Sequence, residues 1–353
     1  MGIGTQHVGV IGMTFEEAMI WQSEFCAAGD APITARVCRA LAASLDMGSM
    51  TGARAIGWPG DYLADGMPLR LVAPFHALFL AGRCAALSPL FLAEATDGMA
   101  AIRAAIAEHD GWIVEWLDGP PQTNEPGRSA NFMAALLVLA KKFGLPFEIL
   151  EIGSSAGLNL LIDRYRYDLG GILVGPAASP VTIRPEWRGS PPPAVEVRFS
   201  QVRGVDIAPI DVGDPTAAER LLAYVWADAP QRAERVRAAI AMIAAQPIEL
   251  EQGDAADWVE ARLSQPQESG VMRVLVHSIV WQYLPASGQA RILAAMEAAG
   301  AAATLREPIG WVAFETDHKT GRQHLTLRCW PGDRKPVELA TSHPHGAWIH
   351  WSR

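Results

Sequence analysis

Residues 147 to 159, Phe-Glu-Ile-Leu-Glu-Ile-Gly-Ser-Ser-Ala-Gly-Leu-Asn, constrain the fold more than any other stretch of this chain. An apolar run ends in Glu151, passes through a small-residue turn carrying Gly153 and Gly157, and resumes as an apolar segment. A buried strand feeding such a turn is where open α/β sheets bind ligands. Small residues let backbone amides approach a ligand, and a helix beginning there would add unpaired N–H donors.

The rest of the chain divides around this turn. Apolar residues recur at helical spacing in 14–27, 34–45, 72–87 and 99–117, so residues 1–120 are expected to form a helical N-terminal domain or cap. A polar loop spans 119–129, and 131–143 resumes an amphipathic helix. From Pro146 onward, strand patterns at 147–152, 195–207, 247–252, 271–280, 302–307, 311–316, 323–329 and 346–351 alternate with helical patterns at 157–166, 216–227, 229–245, 255–264 and 287–299. That alternation predicts an α/β three-layer sandwich over 121–353 with a mostly parallel sheet. The last strands lack intervening helices, so the sheet is expected to finish antiparallel. Residues 168–194, rich in Gly and Pro, read as an insertion.

Composition excludes several classes. Twenty-nine basic against 38 acidic residues leave a net charge of −9, which opposes nonspecific attraction to nucleic acid or anionic lipid. The cysteines at 26, 38, 84 and 329 form no C-x-x-C pair, so neither a disulfide framework nor a structural zinc site is indicated. Glu16 and Glu17 stand where a signal peptide would be basic and then apolar, and no apolar run reaches the roughly 20 residues of a membrane span. A cytoplasmic protein acting on a small molecule is the expectation, with its oligomeric state open.

The turn admits two chemical readings. Gly153-x-Ser155-x-Gly157 has the spacing of an α/β-hydrolase nucleophile elbow, with His277 or His345 as base and Asp206 or Asp254 as orienter. Glu151 speaks against it, because a fixed negative charge opposes an oxyanion beside it. Read instead as Glu-x-Gly-x-Ser-x-Gly-x-Asn, the same residues resemble the first motif of Rossmann-like S-adenosylmethionine-dependent methyltransferases, with Ser155 where many members have a glycine.

Gln122-Thr123-Asn124-Glu125-x-Gly127-Arg128, the run from Ser155 to Tyr167, Glu186-Trp187-Arg188 and Pro344-His345-Gly346 together resemble an uncharacterised bacterial family, domain of unknown function 2332, over about residues 25 to 352. The resemblance brings no established substrate or reaction. The methyltransferase likeness implies S-adenosylmethionine as cofactor and a Rossmann-like fold. It implies a turn formed by Glu151, Gly153, Ser155, Gly157 and Asn159, and a ribose-binding acid at Asp206, with Asp168 as the alternative. It further implies that Asp254 and Ala255 read the adenine, unless Asp254 only caps the helix after it.

Asn124, Glu125 and Arg128 precede the helix that leads into the glycine strand, and the two charged residues could match the ammonium and carboxylate of a methionine-like ligand. A polar cap with a surface ion pair is the plain alternative. His277 follows the fourth strand and is the candidate general base, a histidine that merely hydrogen-bonds its surroundings being the other reading. Tyr283 is a candidate substrate contact. His318, His324, His343, His345 and His350 invite a metal site, but their spacing disfavours one. A methyltransferase fold that binds its ligand without turnover is the non-enzymatic alternative.

Overall fold

A computed structural model describes residues 12–92, 97–317, 319–332 and 335–353. The chain divides into two units. One comprises Asn124–Val212 and Ala238–Arg353, the other the described residues up to Thr123 together with Gly213–Arg237. One division falls between Thr123 and Asn124, and a segment from the middle of the chain belongs with the amino-terminal helices.

The helical unit contains α1 (Phe15–Ala28), α2 (Pro32–Ser44), α3 (Met50–Ile56), α4 (Met67–Leu80), α5 (Ser88–Phe91) and α6 (Gly98–Val114). α1 opens with a reciprocal cap, the Thr14 hydroxyl accepting the Glu17 amide while the Glu17 carboxylate accepts the Thr14 amide. α2 starts at Pro32 with no capping side chain of its own. Asp228 supplies it from far along the chain, accepting from the amides of Ile33 (2.6 Å) and Thr34 (2.9 Å) and from the Thr34 hydroxyl (2.6 Å). Asp228→Ala is therefore expected to cost about 1–2 kcal/mol, read as a lower urea midpoint, whereas Asp228→Asn should retain much of the cap. The unit packs around Met19, Leu41, Leu71, Phe75, Leu78 and Ile102.

The second unit follows with α7 (Ser129–Phe143), β1 (Phe147–Ile152), β2 (Arg166–Leu169), β3 (Ile172–Val174), β4 (Thr182–Ile183), β5 (Glu186–Arg188) and β6 (Phe199–Asp206). The chain then enters α8 (Pro215–Ala223) of the helical unit and α9 (Pro230–Ala245), inside which the division between units falls. It continues with β7 (Glu249–Gln252), α10 (Ala255–Ser264), β8 (Met272–Ser278), α11 (Ala286–Ala302), β9 (Ile309–Asp317), β10 (Arg322–Trp330), β11 (Val337–Ser342) and β12 (Trp348–Trp351).

Nine strands form one sheet in the order β5-β12-β11-β10-β9-β8-β1-β6-β7. Strands β7, β6, β1, β8 and β9 run parallel, while β9 through β12 pair antiparallel, as the missing helices predict. β1 and β8 lie inside the five-strand parallel part, each paired on both sides, and every residue of β8 is buried. On one face Leu150, Ile152 and Leu275 join Val259 of α10 and Ile292 and Met296 of α11 in a core. Side chains alternate along a strand, so Glu151 projects to the opposite face.

Three expectations require correction. Residues 157–166 do not form a helix: Leu158–Leu161 is a single 3₁₀ turn. Tyr165, Tyr167 and Leu169 are buried at alternate positions, the period of a strand, and β2 pairs with β3 and β4 in a separate three-stranded sheet. The expected strand at 302–307 is absent because α11 runs through Ala302 and the Thr304 hydroxyl accepts the amides of Arg306 and Glu307, turning the chain directly into β9. The Gly- and Pro-rich stretch 168–194 carries the end of β2 together with β3, β4 and β5, and β5 joins the large sheet beside β12.

Among the described residues no single helix is long and apolar enough to cross a membrane. Met67–Leu80 with Ala85–Phe91 reaches that length together, but the pair bends by 110° and is largely core.

Candidate functional site

The parallel strand order reverses between β1 and β8, and the turns leaving both strands are strained. Ser155 follows β1 at φ +55°, and Ile279 follows β8 at φ +51°. A β-branched residue in that region is a conformational outlier, and such strain persists only where surrounding bonds over-determine it. Here they do. The Ile279 amide donates to Phe314, and one Glu315 oxygen accepts from the amides of Val280 (3.2 Å) and Trp281 (3.3 Å) as well as from His277.

After β1, the amide of Ser154 donates to Val205, that of Ser155 to Asp206 Oδ2 (2.7 Å), that of Gly157 to Ser154, and that of Leu158 to Asn124 Oδ1 (2.6 Å). The bared-amide cradle expected from the sequence is thus engaged by the protein itself. Side chains fill its approach as well. A Cβ on Gly157 would sit 2.2 Å from Ile248 Cδ1, and one on Gly153 would sit 2.3 Å from Val280 Cγ2.

Around this turn lies a buried polar cluster. Glu151 is 2% exposed, and burial pushes its carboxyl up to about 7, with Asp206 adding to the rise while Ser154, Asn159 and Arg128 oppose it. Glu151 Oε2, Ser155 Oγ, Asn159 Oδ1 and Asn131 Oδ1 are buried without a hydrogen-bond partner among the described residues. Such atoms are uncommon, because each forgoes water without compensation.

The loop before α7 comes to the same place. Asn124 holds the Leu158 amide, Glu125 accepts the Gly127 amide (3.0 Å), and Arg128 Nε donates to the Pro344 carbonyl (2.8 Å). All three are buried, which removes the surface ion-pair reading. Gly346, at φ +70°, packs so closely that a Cβ there would lie 2.2 Å from the Gly127 carbonyl oxygen. Three motifs far apart in sequence thus meet in one knot: 122–128, 155–167 and 344–346.

The other acids stand at strand ends. Asp206 closes β6, its Oδ1 accepting the Ala208 amide at 2.9 Å. Asp254 follows β7 and caps α10, with Oδ1 accepting from Ala256 (2.8 Å) and Asp257 (3.0 Å), so capping is a role it does perform. Asp168 lies instead in the three-stranded sheet, paired with Arg184 at 2.9 Å, away from the large sheet's strand ends. Ile207 and Tyr283, just past β6 and β8, are about three-quarters exposed.

His277 is buried, with both ring nitrogens engaged. Trp311 donates its indole N–H to Nε2 at 2.9 Å, so Nδ1 carries the proton and faces Glu315 at 2.6 Å. In this arrangement Nε2 has no lone pair left for an acceptor's proton. Among the described residues His324, His343, His345 and His350 join no group of three metal-type ligands, although the rings of His343 and His345 lie 5.4 Å apart. His324 pairs with Glu338, His343 Nδ1 accepts the His345 amide, and His318 lies outside the described residues. In the helical unit, ligand atoms of Cys84, Glu108 and His109 fall within 4.8 Å of one another.

The meeting of these motifs agrees with what the whole sequence matches. The bacterial family described as "Uncharacterized protein conserved in bacteria (DUF2332)" matches residues 16–351. This chain belongs to that family. No curated protein and no solved structure matches it. The match to DUF2332 spans both units, so the helices and the sheet recur together in the family.

Proposed function

We propose that this protein binds S-adenosylmethionine at the carboxyl ends of β1, β6 and β7 and acts as a methyltransferase-type enzyme on a small-molecule acceptor. One observation carries the reading: five parallel strands reverse their order between β1 and β8, and three acids, Glu151, Asp206 and Asp254, stand at the ends of β1, β6 and β7. Open α/β sheets take ligands at such a reversal.

The residues fit an adenosyl ligand in part. The unpartnered oxygens of Glu151, Ser155 and Asn159 suit a polar group, the exposed Ile207 offers apolar surface beside Asp206, and the exposed Tyr283 follows β8. The glycine cradle itself does not fit, being filled by Ile248 and Val280. In this reading Asp206 accepts from ribose hydroxyls while holding the turn, and Asp254 and Ala255 face the adenine. Arg128, from the buried loop it shares with Glu125, sets the charge near Glu151.

The ligand's chemistry is an already activated methyl group, so the chain's work is to align the acceptor and exclude water. His277 serves as a positioning residue, holding the β8 turn through Glu315. An acceptor that carries a free lone pair at neutral pH needs no base.

Asp254→Ser separates the roles, because serine keeps the helix cap and removes the carboxylate. Calorimetry should give micromolar binding of S-adenosylmethionine and S-adenosylhomocysteine to the wild type, on the order of 7–9 kcal/mol. The variant should bind about tenfold more weakly with an unchanged melting temperature. No heat with the wild type, or equal affinity in the variant, defeats the assignment.

A second reading is binding without turnover, favoured by the engaged Nε2 of His277. Tight S-adenosylhomocysteine binding with no methylated product would select it. The hydrolase reading has the positive φ of Ser155 in its favour, but Ser155 Oγ is buried and the Asp206 carboxylate adjoins its amide. Labelling of Ser155 by a fluorophosphonate would revive it.

A further inference from the structure

The chain holds four lysines in 353 residues, at 141, 142, 319 and 335, its other basic side chains being arginines and histidines. Three of the four line one groove. This groove, of about 490 Å³, lies within the sheet-bearing unit and is lined by α7, the antiparallel strands β10 to β12 and the prolines at 191 and 193. Its volume falls in the range of small-molecule sites.

The lining is amphiphilic in an ordered way. Leu327 and Cys329 alternate on β10, and Val337 and Leu339 alternate on β11, so each pair projects from one face of its strand. Leu327 and Val337 are register partners, which makes the apolar strip continuous across the two strands. Val138, Leu139 and Trp351 extend it. Lys141, Lys142, Lys335 and Arg353 supply four cations, and among the described residues no acidic side chain lines the groove, although the chain as a whole carries −9. Lys141 and Lys142 also suit the carboxyl end of α7, where the helix dipole favours cations. Lys335 belongs to another segment, so the dipole does not account for it. The Lys142 ammonium lies 3.2 Å from Cys329 Sγ, leaning over the floor of the groove.

We propose that this groove binds a single-chain aliphatic anion, its hydrocarbon laid along the strip of Leu327, Val337 and Leu339 and its headgroup held by Lys141, Lys142 and Lys335. An apolar floor without cations would take any hydrophobe, and cations without the floor would take any anion. The two together select a molecule that carries both parts. Lysine suits a headgroup of variable shape, because its ammonium is a flexible point charge rather than a planar fork.

The test is calorimetry on the full chain with dodecanoate and dodecyl phosphate below their micellar concentrations, against dodecanol, dodecyltrimethylammonium and acetate. Both anions should bind at one site, the tighter of the two identifying carboxylate or phosphate as the preferred headgroup. Affinity should rise about fourfold per methylene from octanoate to dodecanoate. The exposed triple variant Lys141→Gln, Lys142→Gln, Lys335→Glu should bind dodecanoate at least tenfold more weakly while its circular dichroism shows the native fold. Equal affinity for dodecanol or dodecyltrimethylammonium overturns the proposal, as does acetate binding as tightly as dodecanoate, or a triple variant that retains its affinity. A wild-type dimer that ignores dodecanoate and dissociates in the triple variant would assign the groove to a second copy of the chain instead.

Discussion

Replacing Gly346 by valine is expected to destabilise the sheet-bearing unit by about 4 kcal/mol or more, read as a large fall in the urea midpoint. Two effects add. At φ +70° a side chain strains the backbone, a cost of roughly 1–2 kcal/mol. The new Cβ would also lie 2.2 Å from the Gly127 carbonyl oxygen, and that carbonyl has little room to yield. Gly127 is fixed by its bond to Glu125, and Arg128 is tied to Pro344, two residues before Gly346. Gly144 provides the comparison: it ends α7 at φ +68° with nothing near its missing Cβ, so Gly144→Ala should cost about 1 kcal/mol, the strain alone. Equal losses for Gly144→Ala and Gly346→Ala would show that the knot between 127 and 346 is looser than described.

Glu151→Gln is expected to remove a pH dependence of stability from the sheet-bearing unit. The folded-state pKa of Glu151 is about 7, above the ordinary 4.5, because the carboxyl is buried. Between those values the folded chain binds more protons than the unfolded one, so stability falls as pH rises through that window. The loss is complete above about pH 7 and amounts to roughly 3 kcal/mol. Glutamine has no proton to lose. The variant should match the wild type near pH 4, below the ordinary carboxylate value, and exceed it by roughly 3 kcal/mol at pH 8.5, as judged by urea midpoints across that range. Parallel curves for the two proteins would mean that Glu151 is solvated or paired. A bound cation that partners Oε2 should reverse the sign, so ligand affinity would strengthen toward high pH in the wild type and not in the variant.

β1 and its turn were legible because four of the six residues from Phe147 to Ile152 are apolar and Gly153 interrupts them sharply. The antiparallel finish was legible from the missing helices. β2 was not, because Leu160-Leu161-Ile162 suits a helix as well as a turn, and the alternation of Tyr165, Tyr167 and Leu169 is short. β11 was overlooked for a similar reason, its six residues mixing Glu338 and Thr341 with Leu339 and Ala340.

Within the site, His277 and Asp206 stood out as residue types, but their partners did not. Trp311 and Glu315 lie 34 and 38 residues from His277, and Ser155 lies 51 from Asp206. Local pattern holds no record of such pairs. The glycine turn misled most: small residues are needed where a ligand approaches, and equally where Ile248 and Val280 do.

The return of residues 213–237 to the amino-terminal helices has a consequence for synthesis. His76 hydrogen-bonds the carbonyl of Ala223, and Ala73, Ala77 and Trp116 are covered by Ala223 and Tyr224. A ribosome adding about 5–20 residues per second needs several seconds to travel from Thr123 to Arg237. Throughout that interval the emerging helices present an unfinished apolar surface and an uncapped α2, so a nascent chain stalled before Asp228 is the form a holding chaperone would meet.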